Sequence, residues 1–194
     1  MKIVVIANHH RDPLIETYLR DIEHATHFCE DYDIPQGAIL DTGLVNNHIG
    51  AFRCFKGHQD ALAIELEKNT KENILVLEDD AVPNTVAWLD ICHAAELLTT
   101  QFKYVSLHTR QFDLAKYEKR DIDATAYYVP MESGLWAVAT LAYVLSPEAC
   151  REIIGWSYTG IPLDVLIYTT LGYCVVSPSP FDHNRSGGSL IDGV

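Results

Sequence analysis

The sequence predicts an α/β domain in which helices flank a central, mostly parallel mixed sheet. Short apolar runs typical of buried strands alternate along the chain with longer segments whose apolar residues recur at helical spacing. The 194 residues contain no internal repeat and no low-complexity segment, and a chain of this length ordinarily forms one domain. We therefore expect a single Rossmann-like domain over residues 1–194.

The first elements of this alternation lie in the N-terminal part of the chain. Residues 2–7 are an apolar run that predicts a buried strand, and Asp12-Pro13 predicts an N-cap with proline at the first helical position. Residues 25–29 are compatible with a second strand. Helical spacing of apolar residues over 49–68 indicates a long helix packed on the sheet, and residues 73–77 predict the next buried strand.

The alternation continues through the middle of the chain. Thr85 is expected to cap a helix that ends at Leu98, and residues 104–108 predict a strand. Residues 126–129 and 135–145 are rich in strand-forming residues. Two further elements are therefore expected before the last helices.

The C-terminal part predicts two helices, a strand and a tail. Ser146-Pro147 is expected to cap a helix that ends at Gly155. Residues 162–171 are expected to form the last helix and residues 173–176 the last strand. The polar segment 109–125 is the best candidate for a mobile loop over a site. Residues 177–194, rich in Ser, Pro and Gly, predict a C-terminal loop or tail over the same site.

The charge balance excludes several classes of partner. The chain has 14 Lys and Arg against 27 Asp and Glu, a net charge of −13. A basic surface, on which non-specific nucleic-acid binding depends, is therefore not expected, and a polybasic membrane anchor is not expected either. We predict no nucleic-acid partner.

The N-terminus and the cysteines bear on location. The apolar run over residues 3–7 is too short for a signal-peptide core or a membrane span, so no transmembrane segment is expected. The five cysteines are scattered without a CxxC pair, which indicates neither a disulfide framework nor a zinc finger. We expect reduced thiols and a cytoplasmic protein.

The sharpest chemical feature is the acidic triplet Glu78-Asp79-Asp80 directly after a predicted buried strand. Open α/β sheets bind ligands at the carboxyl ends of their strands, and like charges gathered there need a cation or donors to offset them. A divalent ion shared with phosphate oxygens, Mn²⁺ or Mg²⁺, would do so. Such a DXD-like motif is typical of transferases that use nucleotide sugars; the alternative is a solvated acidic turn.

Five segments resemble, in order along the chain, motifs of glycosyltransferase family 25, which includes lipopolysaccharide-biosynthesis transferases and collagen galactosyltransferases. They are the hydrophobic strand ending in Glu-Asp-Asp (75–81), a Gly-x-x-Gly-Cys-x-x-Ser-His segment (50–58), an Ala-Tyr-hydrophobic-hydrophobic-Ser-x-x-Ala element (142–149), a Pro-x-Asp feature (162–164) and a closing Ser-x-Ile feature (186–191). Two positions depart from the family pattern, because Arg53 replaces the second glycine of the histidine segment and Gly57 replaces its serine.

The resemblance implies a GT-A type fold, a divalent metal and a nucleotide-diphosphate sugar as donor, UDP-linked in our prediction. It also implies transfer of a hexose to a glycan or glycoprotein acceptor with inversion at the anomeric carbon. Inversion requires a stabilised leaving diphosphate and a carboxylate that takes the proton of the acceptor hydroxyl. The acidic triplet and a second carboxylate can supply both.

Metal and base candidates follow. Asp80 is the first choice for metal ligand, and Glu78 is the second. Glu78 or Asp79 is also a candidate for contact with the ribose or with a metal-bound water. His183 is a further ligand candidate and favours Mn²⁺, because imidazole binds Mn²⁺ better than it binds Mg²⁺. His183 could instead form a hydrogen bond with the backbone of its loop.

Asp164, at the family's Pro-x-Asp position, is the candidate general base, although a helix N-terminus also favours an acidic residue. Glu132 is the second candidate.

Three more residues are candidates for donor contact. His58, on the long helix, would position donor or acceptor, unless it is simply a satisfied core histidine. Asn8, at the end of the first strand, could contact the nucleotide base and Arg11 a phosphate, or both could only shape the turn. Cys54 is expected to be a small buried hydrophobe.

Two other functions compete with a glycosyltransferase. The departures at Arg53 and Gly57 motivate a catalytically silent member of the fold that binds a nucleotide or a glycan. A metal-dependent phosphotransferase or hydrolase could use the same carboxylates, but the chain has no Gly-x-x-x-x-Gly-Lys loop, so a P-loop enzyme is not expected.

Overall fold

The computed structural model describes residues 1–8, 14–34, 48–68, 71–108, 113–132 and 140–184. Within these residues the strands are β1 (Lys2–Asn8), β2 (His24–Cys29), β3 (Ile74–Glu78), β4 (Ala81–Pro83), β5 (Tyr104–Ser106), β6 (Tyr117–Ile122), β7 (Thr125–Pro130), β8 (Ala142–Leu145), β9 (Tyr173–Val176) and β10 (Phe181–His183). The helices are α1 (His48–Glu67), α2 (Trp88–Leu98), α3 (Pro147–Ile154) and α4 (Leu163–Thr170), with short 3₁₀ turns at Leu14–Thr17 and Leu114–Lys116.

Eight of these strands form one mixed sheet in the order β2-β1-β3-β8-β5-β9-β7-β6. β1 lies parallel to β2 and β3, and β5 lies parallel to β9, whereas β8 opposes its neighbours β3 and β5 and β7 opposes its neighbours β9 and β6. Six strands therefore point one way and two the other. The carboxyl ends of the six parallel-pointing strands lie at one edge of the sheet, which we call the carboxyl edge.

Helices cover both faces of the sheet. One face packs against α1, α3 and α4 through a core that includes Val4, Val76 and Val175. The other face packs against α2 through Val5, Leu77 and their neighbours. Alternate residues of β1 and β3 thus enter opposite cores, as the period of a strand requires. The predicted α/β class with a flanked, mostly parallel mixed sheet is confirmed and is consistent with a GT-A-like fold.

Several predicted elements are confirmed with small shifts at their ends. The apolar runs form β1, β3 and β9, and the predicted long helix is α1. Ser146 caps α3 as expected, because its hydroxyl accepts a hydrogen bond from the Ala149 amide at 3.2 Å, and the helix ends before Gly155. β5 stops at Ser106, two residues earlier than predicted. Of the predicted β-rich segment 135–145, residues 140–145 are described and contain β8.

Four predictions were wrong. The segment after Asp12-Pro13 makes a 3₁₀ turn at Leu14–Thr17, with i to i+3 hydrogen bonds, before the chain enters β2. Thr85 does not cap α2, whose N-cap is Ala87 without a side-chain bond. Part of the polar segment 109–125 forms the edge strand β6, where polar side chains reach water. A further strand, β10, follows the strand that was expected to be the last.

The five cysteines are free and buried, in agreement with the expected reduced thiols. Among the residues that the structure describes, no helix is both long and apolar enough to cross a membrane.

Candidate functional site

The acidic triplet lies at the carboxyl edge of the sheet, where β3 ends. The Glu78 amide donates to the Leu141 carbonyl at 2.8 Å, and the Asp79 amide donates to the Ile6 carbonyl of β1 at 3.0 Å. Glu78 belongs to the strand, while Asp79 and Asp80 form the turn that follows and are both buried. Backbone bonds to neighbouring segments therefore hold the triplet at the edge where open α/β sheets place their ligands.

Glu78 is paired with a buried histidine of α1. His58, 1% exposed, has its Nε2 3.2 Å from Glu78 Oε1 and its Nδ1 2.5 Å from the Tyr143 hydroxyl of β8. The His58 and Tyr143 rings stack with centroids 5.8 Å apart. Burial alone would raise the pKa of Glu78, but hydrogen bonds from His58 and Thr140 and the charge of His58 lower it. Glu78 is therefore a carboxylate at neutral pH.

Asp80 is paired with a histidine from the C-terminal part of the chain. β10 pairs antiparallel with β4, and this pairing brings His183 Nε2 within 2.8 Å of Asp80 Oδ2. The Asn184 amide donates to the Asp80 carbonyl at 3.0 Å. The charge of His183 also contributes to the lowered pKa of Glu78. His183 is thus brought to the acidic triplet.

Asp164 lies in the first turn of α4, half-buried, and its Oδ1 accepts a hydrogen bond from the Val165 amide at 2.8 Å. α4 leads through a short connection into the first residue of β9, so its N-terminus lies toward the carboxyl edge. Burial raises the pKa of both Cys54 and Tyr104, and the charge of Asp164 adds to the effect on each. Asp164, at the N-terminus of α4, thus lies toward the same edge of the sheet as the acidic triplet.

Of the remaining candidates Asn8, Arg11 and Glu132, the structure places only Asn8 at the carboxyl edge. Asn8 ends β1 at the carboxyl edge, whereas Arg11 lies outside the described residues. Glu132 is exposed and follows β7, which runs opposite to β9, so it lies beyond the other edge of the sheet. The structure does not bring Glu132 together with the acidic triplet, because the direction of β7 carries the chain away from it.

Sequence reasoning missed two residues of this site. His108 follows β5 at the carboxyl edge, and its Nδ1 donates to the Phe181 carbonyl at 2.9 Å; burial lowers its pKa. The carboxyl-end rule applied to the predicted strand 104–108 could have found it. Tyr143 had no such signal, because it lies 85 positions from its partner His58, on a strand whose direction the sequence does not reveal.

The two departures from the family pattern have local explanations. A Cβ at Gly57 would overlap the Cys29 sulfur, so α1 can approach β2 only with glycine there. Arg53 pairs with Asp31 at 3.0 Å and donates to the Tyr32 carbonyl at 3.2 Å. Both positions serve the contact between α1 and the segment that follows β2.

Comparison with known proteins bears on the fold. No protein-family model matches the chain, and no curated protein matches its sequence. Among solved structures, A197 from STIV is similar with a TM-score of 0.55 and 12% identity, over 96% of this chain and 87% of that one. This likeness shows a shared fold.

Two weaker likenesses are to other solved structures. One is a glycosyltransferase involved in the glycosylation of the major capsid of PBCV-1, with 15% identity and a TM-score of 0.41 over 79% of this chain and 64% of that one. The other is HddC from Yersinia pseudotuberculosis, with 15% identity and a TM-score of 0.37 over 90% and 69%. Neither carries an argument about this chain. Comparison thus supports the predicted fold, through the likeness to A197 from STIV, and does not support family 25 specifically.

Proposed function

We propose that the protein is a metal-dependent glycosyltransferase that moves a hexose from a UDP-linked sugar to a glycan or glycoprotein, with inversion at the anomeric carbon. The observation that supports this most is the contact of His183 with Asp80 at the carboxyl edge of the sheet, two residues after the Glu78 carboxylate that ends β3. A fixed cluster of carboxylates at this edge suits an anionic ligand only when a cation accompanies it.

Asp80 and His183 fit a divalent cation by their donor chemistry. A carboxylate oxygen and an imidazole nitrogen, 2.8 Å apart, suit Mn²⁺ better than Mg²⁺, which prefers oxygen and water. Glu78 is the second carboxylate candidate, and the direct interaction with His58 holds it ionised. When bound, such a cation would offset the negative charge that the leaving diphosphate gains.

The donor nucleotide would be oriented by the ends of β1 and β3. Asn8 is proposed to contact the base, Asp79 the ribose and Arg11 a phosphate. His58 is too buried to reach the donor directly, so we assign it the positioning of Glu78 through its bond to Tyr143. In this assignment the acidic triplet binds the donor, while His58 on α1 and Tyr143 on β8 fix the geometry of the triplet.

Asp164 is proposed as the general base. Its Oδ1 is held by the Val165 amide, and its carboxylate would accept the proton of the acceptor hydroxyl as the oxygen attacks the anomeric carbon. Glu132, the other candidate, lies at the opposite edge and is not proposed for this step. The net charge of −13 makes a neutral glycan the simpler acceptor, because an anionic one would be repelled. We propose that the protein acts in the cytoplasm.

The test is a panel of nucleotide sugars with Mn²⁺, read as release of nucleoside diphosphate. Asp80→Asn should remove both Mn²⁺-dependent nucleotide binding and turnover. Asp164→Asn, which preserves the side-chain shape, should retain binding and lose turnover. Asp90→Asn removes the same charge from an exposed position of α2 and should change neither.

The outcomes separate the competing functions. Mn²⁺-dependent nucleotide binding without release from any donor would indicate the catalytically silent binder. Absence of both binding and release would reject the proposal. Near-normal turnover in Asp164→Asn would reject only the assignment of the base.

A further inference from the structure

We infer that Cys54, His58 and Glu78 form a second cation site, selective for a thiolate-binding ion such as Zn²⁺. One ligand atom of each residue, the cysteine sulfur, a histidine nitrogen and a glutamate oxygen, lies within 4.8 Å of the others. Its cysteine and histidine ligands differ from those of the proposed Asp80 and His183 site, with which it shares only the candidate Glu78. It does not depend on the protein being a glycosyltransferase.

Local structure brings the three ligands together. Cys54 and His58 are four residues apart on α1, so they lie on the same face of the helix, which packs against the sheet. Glu78 ends β3 beneath that face. Nε2 of His58 and Oε1 of Glu78 are 3.2 Å apart, close to the roughly 3.3 Å expected between two such ligands of a tetrahedral zinc. Only the thiol has to approach further.

The surroundings of His58 fit a metal ligand. A histidine that coordinates through one ring nitrogen usually donates the other N–H to an oxygen, which fixes the ring. The Tyr143 hydroxyl lies 2.5 Å from Nδ1 and can accept that bond, which leaves Nε2 for the ion. Tyr143 is itself fully buried and stacks on Tyr104 at 4.9 Å, so the oriented ring has a rigid support.

The electrostatics also favour a cation. The carboxylates of Glu78 and Asp164 place negative charge around the Cys54 thiol. The same negative charges attract a cation, and a bound ion releases the thiol proton to solvent as the sulfur coordinates. Glu78 is a quarter exposed, so one ligand of the site is in contact with solvent, while Cys54 and His58 are buried. Sulfur, nitrogen and one oxygen select Zn²⁺ over Mg²⁺ or Ca²⁺.

Cobalt is the probe for this site, because Co²⁺ occupies zinc sites and a coordinated thiolate gives a charge-transfer band in the near ultraviolet. The chelator-treated protein is titrated with Co²⁺. The band should saturate at one ion per chain and disappear when Zn²⁺ is added. A wild-type protein that develops no band, or a band that exceeds one ion per chain without saturating, overturns the inference.

Variants assign the band. Cys54→Ser should abolish it, whereas Cys92→Ser, at an equally buried cysteine on the opposite face of the sheet, should retain it. Asp80→Asn should also retain it, which distinguishes this site from the one proposed for the diphosphate. A band that persists in Cys54→Ser contradicts the inference.

A second measurement needs no variant and therefore tests the site even if the Cys54→Ser chain does not fold. X-ray absorption of the zinc-loaded wild type should show one sulfur at about 2.3 Å together with nitrogen and oxygen neighbours. A shell of nitrogen and oxygen alone contradicts the inference.

Discussion

Replacing Glu65 by glutamine should lower the free energy of unfolding by about 2 kcal/mol at neutral pH. Glu65 lies seven residues after His58 on the sheet-facing side of α1 and is fully buried. It forms ion pairs with Lys2 of β1 and with Lys68 at 2.7 Å, and a hydrogen bond with His27 of β2 at 2.8 Å. This cluster joins α1 to the two strands that end at the site.

The magnitude follows from the pKa of this carboxylate. Burial alone would raise the pKa of Glu65, but hydrogen bonds from Lys2, Lys68 and His27 outweigh it and lower the pKa from 4.5 to about 2. At about 1.4 kcal/mol for each pKa unit, this difference corresponds to about 3 kcal/mol. We expect about 2 kcal/mol because Lys2 and Lys68 are 29% and 53% exposed and water screens their charges.

The assay is urea unfolding of wild type and Glu65→Gln between pH 7 and pH 3, with Glu67→Gln on the exposed side of α1 as the control. A carboxylate whose folded pKa is lowered contributes its full stability above its unfolded pKa of 4.5 and loses it as the pH falls toward 2. The difference between wild type and Glu65→Gln should therefore shrink below pH 4.5. A difference that does not change with pH, or an equal loss in Glu67→Gln, refutes the reasoning.

Three further changes test the packing around the site, each read by urea unfolding. Tyr143→Phe leaves the buried Nδ1 of His58 without its partner and should cost about 2 kcal/mol; no loss would show that the bond is unimportant. Gly57→Ala should cost about 2 kcal/mol by overlap with Cys29, and adding Cys29→Ala should recover part of it, whereas purely additive losses would exclude the overlap. Ser146→Ala removes the cap of α3 and should cost about 1 kcal/mol; an unchanged midpoint would argue against the cap.

Local chemistry predicted much of the fold. β1 and β3 are buried on both faces, so their sequences are continuous apolar runs that need no tertiary information. The start of α3 was predictable because Ser146 and the proline after it have a specific capping chemistry. The position of the acidic triplet at the carboxyl edge follows from the same local pattern.

Long-range pairing accounts for what the sequence could not predict. β6 is polar because it lies at the edge of the sheet, and β10 has only three residues and forms by pairing with β4, about a hundred positions earlier. Glu132 was a candidate general base by its local sequence, but the antiparallel direction of β7 places it at the opposite edge of the sheet. The partnership of His58 with Tyr143 likewise depends on the order of strands, which local patterns do not encode.

The most direct test of the central claim is calorimetric binding of UDP to wild type and Asp80→Asn, with and without Mn²⁺. The account predicts that wild type binds UDP only with Mn²⁺ and that Asp80→Asn weakens this binding by more than about tenfold. UDP binding that is indifferent to Mn²⁺, or equal in wild type and Asp80→Asn, would contradict it.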